Sequence, residues 1–564
     1  MINNSNNRYL GRFSFIISHI SFSVALGVAL AACSDWDDHY DPAPGSAAEG
    51  ITLWQQIKSN PQLSDFSQVL EQTKVYRMHK KSPVSYADLL ASGQVFTVMA
   101  PVNGTFNKDS LLRLTESVRG DSAVERSFVK NHISRSLSSL KSEPSQLFML
   151  NMKRMSMGDG KIEGVDISAP NGKASNGVLH ILSEPLPYQR NIYEQLCDDP
   201  QLQEIGTRLS RFNEDYFDPD ASVSNGVVDG VPIYVDSVVY EINRLIGSLG
   251  QIQAEDSNYV MVVPTADGWR KAYEEASQYF VFDEKTEKRD SLQQLYTMRA
   301  LLEDAVFNMT EQQSIADSLV SVPYRNANQQ YEQGKQVYHL FRSPFEPGGI
   351  LYGATALPCS NGTIYTTPEW SLSPYDTYFK ELYVEGESTH LIINYEKCVY
   401  NVVNVANAGY VSNNKYLRIT PGGSTDNWTA DFQVNNTLSG SYDIYAIVLP
   451  HNMFDDSAEL RPYKFKASIS CPNEKGNIQT TACVPGDDRP VSSKTEFTTW
   501  SDRVDTVLLA RDFKFPTCNY GQSNMNVSIR LQCSITARQT SQYYREMWLD
   551  CIYLRPHNPK SEEQ

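Results

Sequence analysis

The strongest constraint on this chain is that part of its sequence is written twice. Thr52-Leu-Trp-Gln-Gln-Ile-Lys-Ser-Asn-Pro61-Gln-Leu63 returns 139 residues later as Asn191-Ile-Tyr-Glu-Gln-Leu-Cys-Asp-Asp-Pro200-Gln-Leu202. Leu53, Trp54 and Ile57 match Ile192, Tyr193 and Leu196 with the spacing of an apolar helix stripe. Pro61 and Pro200 are expected to end that helix, because a residue before proline avoids the α region. Beyond the break, Phe66 and Leu70 match Ile205 and Leu209. At this length such similarity points to duplicated structural units, and 564 residues exceed what one hydrophobic core holds.

Two further blocks recur. Phe96-Thr-Val-Met-Ala-Pro101-Val-Asn103-Gly-Thr-Phe106 is echoed by Tyr259-Val-Met-Val-Val-Pro264-Thr-Ala-Asp267-Gly-Trp269. Each reads as a short buried strand, a proline, a polar turn and an aromatic. Asn103 or Thr105 in one copy, and Thr265 or Asp267 in the other, are the expected caps of the following helix. Ser175-Asn176-Gly177-Val-Leu-His180 and Ser360-Asn361-Gly362-Thr-Ile-Tyr365 close the copies, with Asn-Gly suited to a turn at positive φ before a last strand.

These blocks resemble the fasciclin domain, whose first box has the form Thr-Val-Phe-Ala-Pro-Thr-Asn-x-Ala-Phe and which closes on Asn-Gly-x-Ile-His. Phe128-Val-Lys-Asn-His132-Ile133 is the expected second box of the first copy, residues 50–186. The second copy, residues 187–372, departs from the pattern. Ala266 stands where Asn103 did, Leu302-Glu-Asp-Ala305-Val306 lacks the histidine, and insertions total 46 residues. Asp215 to Gly230 is one expected insertion; another lies between Phe307 and Tyr338. The resemblance implies compact α/β (α+β) domains, found mostly in non-catalytic adhesion and matrix-binding proteins.

From residue 382 to 557 the texture changes to alternating strands. In Asn526 to Ile535, Val527, Ile529, Leu531, Cys533 and Ile535 share one face, the period of a half-buried strand. Turns at Pro421-Gly422-Gly423, Leu438-Ser439-Gly440 and Pro485-Gly486-Asp487 punctuate the region. The fold class expected is therefore multidomain: two α/β fasciclin-like domains followed by an all-β sandwich. Leu438-Ser-Gly-Ser-Tyr442-Asp-Ile-Tyr445 and Trp548-Leu-Asp550-Cys-Ile552-Tyr-Leu554 resemble strands of jelly-roll carbohydrate-binding modules. Six of the nine cysteines lie in this third, with Cys471 and Cys483 the best candidate disulfide. The competing reading makes Cys533 a small core hydrophobe.

The N-terminus supplies the expected location. Arg8 and Arg12 precede an apolar stretch to Ala32, then Leu30-Ala31-Ala32-Cys33, the parts of a secretory signal over residues 1–32. The last four residues resemble a bacterial lipobox, which implies acylation of Cys33 and a lipid-anchored linker at 33–49. The alternative is an uncleaved span. Ser34-Asp35-Trp36-Asp37-Asp38 looks like the signal that sends Bacteroidetes lipoproteins to the exterior of the outer membrane. Residues 558–564 are expected to form a disordered tail.

A net charge of −17 disfavours nucleic acid as a partner. The chain lacks Gly-x-Ser-x-Gly, His-Glu-x-x-His, P-loop and Cys-x-x-Cys motifs, so no catalytic residue, metal or cofactor is expected. His132 and His180 read as structural, and Asp218-Pro-Asp220 and Asp487-Asp488 as solvated acidic turns rather than calcium loops. Sugar recognition without catalysis uses aromatic rings. Trp428, Trp500, Tyr520, Tyr543, Tyr544 and Trp548 are available, and Trp500 and Tyr520 are the ligand-binding candidates because they lie in polar, turn-rich stretches. The expected function is adhesion or glycan capture at the cell surface, by resemblance beside a SusC/SusD-type uptake system. The alternatives are a structural partner docking onto an outer-membrane transporter and, third, a glycan-processing enzyme.

Overall fold

The computed structural model describes residues 50–77, 80–141, 143–228, 231–309, 314–321, 339–406, 411–486, 494–522 and 526–558. The signal stretch, Cys33, the acidic cluster behind it, Asp487-Asp488 and most of the tail lie outside these residues. The architecture is mixed α/β, with several separate sheets. By contact the chain forms two compact units, one with residues up to 190 and 213–242, the other with 191–212 and 243 onward.

Both sequence copies build the same entry. Helix Leu53–Ser59 starts from a capping box in which Thr52 and Gln55 satisfy each other's backbone amides. Helix Ile192–Asp198 starts identically from Asn191 and Glu194. Each stops at the residue pair before its proline and restarts as Ser64–Gln72 or Gln203–Ser210. The matched stripe residues Leu53, Ile57, Ile192 and Leu196 are fully buried.

The sheets repeat too. In the first copy Phe96–Pro101 pairs in parallel with Gly177–Leu182, Phe96 opposite Gly177 and Pro101 opposite Leu182. In the second, Tyr259–Pro264 pairs in parallel with Gly362–Thr367, Tyr259 opposite Gly362 and Pro264 opposite Thr367. A short antiparallel strand flanks each on the other side, Ile133–Ser134 and Val306–Asn308. Beyond that shared core the copies diverge. The first sheet continues through Val165–Ala174 to a total of seven strands, whereas the second stops at Thr355–Cys359 with four. The expected insertion near Asp215 forms a two-stranded sheet, Asn213–Val228 with Val231–Asn243.

The Asn-Gly pairs do more than turn the chain. Gly177 has φ +151° and Gly362 φ +145°, and a Cβ on either would sit on the carbonyl oxygen of Phe96 or Tyr259. The preceding asparagine is buried and ties three segments together. Asn176 accepts from the Leu53 amide (2.8 Å) and donates to the Leu90 and Ser92 carbonyls (2.9 and 2.7 Å). Asn361 accepts from the Ile192 amide (2.9 Å) and donates to the Ile252 and Ala254 carbonyls (2.8 and 3.0 Å).

The helix caps differ from expectation. In the first copy Asn107, not Asn103 or Thr105, caps Lys108–Leu114. Asn103 instead bonds the helix break, accepting from the Asp65 amide (2.9 Å) and donating to Pro61 O (2.8 Å) and Ser64 Oγ (2.9 Å). In the second copy Thr265 holds the cap position of Ala266–Ser277, but its hydroxyl makes no cap bond.

The C-terminal third forms two antiparallel six-stranded sheets. One has the order Cys398–Asn404, Lys415–Pro421, Met547–Pro556, Ser441–Val448, Asp505–Lys514, with Leu382–Glu385 also beside Met547–Pro556. The other has Ile392–Glu396, Thr429–Gln433, Ser528–Cys533, Lys464–Pro472, Ile478–Ala482, with Phe497–Thr498 beside Lys464–Pro472. Their inner faces share one core, in which Val527, Ile529, Leu531, Cys533 and Ile535 are all buried as their phase implied. Phe280, Phe282 and Ala300 of the second copy, with Phe379 of the segment that follows it, join the same core.

Cys398, Cys471, Cys483, Cys518, Cys533 and Cys551 all carry free thiols. Register rules out the Cys471–Cys483 bridge: Cys471 lies opposite Gln479, while the Cys483 amide bonds Ala467 four residues back along the same strand. Four residues of strand put the thiols roughly 13 Å apart, well beyond the reach of a disulfide.

Candidate functional site

Strands of the first C-terminal sheet send alternate residues away from the core, and several of those residues are aromatic. On Lys415–Pro421, Leu417 and Ile419 point inward and Tyr416 outward; on Met547–Pro556, Leu549, Ile552 and Leu554 point inward, Trp548 and Tyr553 outward. An outer sheet face exposed to water ordinarily carries polar side chains. Here it carries two groups of rings.

One group is a row assembled by the short helical turn His451–Met453, which follows strand Ser441–Val448. The imidazole of His451 lies between two rings, 3.8 Å from Tyr544 and 4.4 Å from Trp548, nearly parallel to both. Trp548 meets Tyr416 at 5.1 Å, and Phe454 stacks on Tyr416 at 5.8 Å with an interplanar angle of 4°. Phe454 is 43% exposed while its ring is held parallel to Tyr416 and beside Trp548. The Arg461 guanidinium sits over Tyr544 at 4.0 Å, a cation–π contact.

Glu546 anchors this row. It receives Arg418 Nη2 (2.9 Å), Thr420 Oγ1 (3.0 Å) and Trp548 Nε1 (2.9 Å). Burial alone raises its pKa, but these donors outweigh burial and hold it below the usual glutamate value. His451 is pushed down, chiefly by burial, which favours the neutral imidazole in the stack.

The second group is a tyrosine ladder across three neighbouring strands. Tyr553 lies opposite both Tyr383 and Tyr445, stacking with them at 5.7 and 4.8 Å. Tyr383, at 50% exposed, ends the ladder, with its hydroxyl donating to Glu381. At the other end Arg555 lies over Tyr445 and donates to its hydroxyl (2.7 Å). Nearby, burial first and then the charges of Glu387 and Asp550 raise Glu385 to about 7. Burial raises Asp550 to about 6.

The aromatics singled out from sequence are scattered. Tyr544 and Trp548 come together through His451. Trp428 is core, its indole donating to Arg545 O, and Tyr543 packs against the core edge beneath Lys464. Trp500 is exposed at 41%, with Arg503 over its ring at 4.5 Å. Tyr520 is not an exposed platform: it packs edge-on against Phe280 (5.6 Å) and Tyr296 (5.0 Å) beside the shared core. Its stretch is polar in sequence, but packing against the preceding helices covers the ring. His451, Tyr416, Phe454 and the ladder escaped notice because strand phase places them and composition does not.

The two suspect histidines are structural in their surroundings. His132 is buried, its Nδ1 2.7 Å from Phe128 O and its Nε2 accepting from the Leu186 amide (2.9 Å); burial lowers its pKa to about 4. His180 is buried against Ser138 O (3.0 Å). Among the described residues no group of three His, Cys, Asp or Glu has the arrangement to hold a metal. Among them, too, no helix is long and apolar enough to cross a membrane.

No protein-family model matches the chain, and no curated protein matches it. Solved structures give partial likenesses. The fasciclin domain pair of the insect cell adhesion molecule Fasciclin I aligns at 13% identity over 57% of this chain and 97% of that one, with a TM-score of 0.16. The C-terminal family 22 carbohydrate-binding module of a Clostridium thermocellum xylanase aligns at 6% identity over 29% and 94%, with a TM-score of 0.18. The N-terminal modules of endo-1,4-β-D-xylanase 10B from that organism, complexed with xylohexaose, align at 11% identity over 29%, with a TM-score of 0.19. This chain spans a quarter of that structure's length. The chain therefore has a weak, partial structural resemblance to fasciclin and carbohydrate-binding-module folds.

Proposed function

We propose that this chain is a non-catalytic lipoprotein, anchored through Cys33 at the exterior of the outer membrane, in which two fasciclin-like domains accompany a jelly-roll-like β-sandwich that captures glycans. The carrying observation is Phe454, an exposed ring held parallel to Tyr416 at the end of a braced aromatic row. A pyranose offers an apolar face to such a ring, and a ring that is already fixed loses little conformational freedom on binding. Arg418, Glu546 and Arg461 border the row with groups able to bond sugar hydroxyls. Tyr383 marks a second contact at the end of the ladder. Isolated surface rings are ordinary, but a connected aromatic face marks an interaction site.

The test is a glycan array on the purified protein, followed by titration of the best ligand. Phe454→Ala and Tyr383→Ala are expected to weaken binding about tenfold or more each, while Trp500→Ala changes it little. Binding of the best ligand by the double variant with the affinity and stoichiometry of the parent sinks this assignment. If no glycan binds, and cross-linking in intact membranes instead ties Phe454 to a transporter, the aromatic face is a protein-docking surface. Turnover of any bound glycan by the purified protein would remove the non-catalytic part.

A further inference from the structure

The two repeats differ at one position whose neighbour, Thr265 in the second, lines open space. In the first, the Asn103 side chain bonds Asp65, Pro61 and Ser64, and its own amide donates to Gln62 O (2.9 Å). The segment after the central strand is thereby tied to the break between the first two helices. The matching residue in the second repeat is Ala266. A methyl group can make none of those side-chain bonds. Helix Ala266–Ser277 starts directly after its strand, and the matching helix break is Asp199-Pro200-Gln201.

Between that break and Thr265 lies a cavity of about 560 Å³, whose far wall includes Thr355, Thr366 and Thr367. The volume falls in the range of small-molecule sites. Its chemistry is specific. Asp199 is fixed by the Gln201 amide (2.8 Å) on one oxygen and by Gln195 Nε2 (2.9 Å) on the other, leaving each oxygen free to accept again. Thr366 and Thr367 donate their hydroxyl protons to the carbonyls of Thr355 (3.3 Å) and Glu369 (2.8 Å), so both present lone pairs. Gln201 and the uncommitted hydroxyl of Thr265 supply donors. Pro200, Leu357 and Pro368 give an apolar floor. No lysine or arginine lines the space, so a phosphate, sulfate or carboxylate ligand finds no countercharge.

We propose that the second repeat carries a pocket for one uncharged sugar residue, opened by the loss of the asparagine clamp that ties the first repeat. This deepens the glycan-capture reading, and uses none of the aromatic residues of the C-terminal sheets.

The experiment uses the full chain and a panel of neutral mono- to hexasaccharides built from glucose, galactose, mannose or xylose, titrated by calorimetry. It is run on the parent and on the Phe454→Ala/Tyr383→Ala double variant, in which the sheet platform is removed. Thr355→Trp fills the cavity while keeping the backbone carbonyl that Thr366 uses; Ala266→Asn restores the clamp. At least one saccharide is expected to bind saturably in the double variant. Each pocket substitution, added to it, is expected to reduce affinity about tenfold or more with thermal unfolding unchanged. Three results overturn the proposal: no saccharide binding in the double variant, saccharide binding indifferent to both pocket substitutions, or preference for lysine-bearing peptides over every saccharide. Binding lost in the double variant but kept with Thr355→Trp in the parent would leave the platform standing and remove the pocket. The reverse pattern would remove the platform alone.

Discussion

The two repeats agree where backbone passes close to backbone and disagree in the side chains that tie one segment to the next. Asn176 and Asn361 make matching sets of three bonds, and Gly177 and Gly362 pass equally close to a facing carbonyl. Both features are indispensable for the same reason: a buried amide without a partner is costly, and no other residue has glycine's freedom from a Cβ. By contrast the first repeat keeps His132 and Asn103, while the second has Ala305 and Ala266 near the matching places. In the second repeat Asp304 is instead engaged by His339, at 2.6 Å. Close backbone approach therefore tolerates little change, whereas single side-chain ties, buried His132 among them, can be exchanged or lost.

The largest effect tests the shared part. Gly177→Ala and Gly362→Ala should each cost about 4 kcal/mol or more, because backbone must move. Hydrogen exchange read separately on each repeat should show loss of protection confined to the one altered. A mild effect in one repeat and a severe one in the other would break the equivalence. Asn176→Ala and Asn361→Ala should follow at about 3 kcal/mol each, with the amides of Leu53 and Ile192 left unpaired. Urea unfolding of the two variants measures this.

The unshared part gives smaller numbers. His132→Ala should cost about 2 kcal/mol by orphaning the Leu186 amide, and no substitution at Ala305 should have a matching role. Asn103→Ala should cost about 1 kcal/mol, measured by chemical denaturation, while Ala266→Asn should leave stability nearly unchanged.

The smallest expected effect is a difference in pH response. His132 has a folded pKa near 4, below the ordinary value of 6.5, because burial disfavours its charge. Its contribution is complete above about pH 6.5 and declines as pH falls toward 4. In the other unit, burial raises Glu303 to about 7, against the opposing pull of Arg299, and Glu385 also lies near 7. Those groups favour the folded state most below about pH 4.5, and that advantage disappears as pH rises through 7. Exchange protection across pH 4 to 8 should therefore move in opposite directions in the two units. Parallel trends would show that other groups dominate.

Much of the repeat architecture was legible because its signals are local. The apolar stripe, the proline break and the Asn-Gly pairs each act through neighbouring backbone, and each stands where its residues implied. The phase of Val527 to Ile535 likewise announced a strand with one buried face. Tyr520 was misplaced because local polarity carries no information about the aromatic cluster that approaches from 280 and 296. The Cys471–Cys483 pairing failed for a related reason: loop-flanking positions suggest proximity, but hairpin register sets which residues face each other.

By itself the sequence determined where the first helix of each repeat breaks, which face of the 527–535 strand meets a core, and that one unit occurs twice. These follow from dihedral preference and from burial periodicity, both readable over a few residues. Only the tertiary structure decided that His451 slots between Tyr544 and Trp548, that Phe454 is left facing water, and that replacing Asn103 by Ala266 coincides with a cavity. Those outcomes depend on segments brought together from distant parts of the chain, and residue spacing cannot encode a distance that packing alone sets.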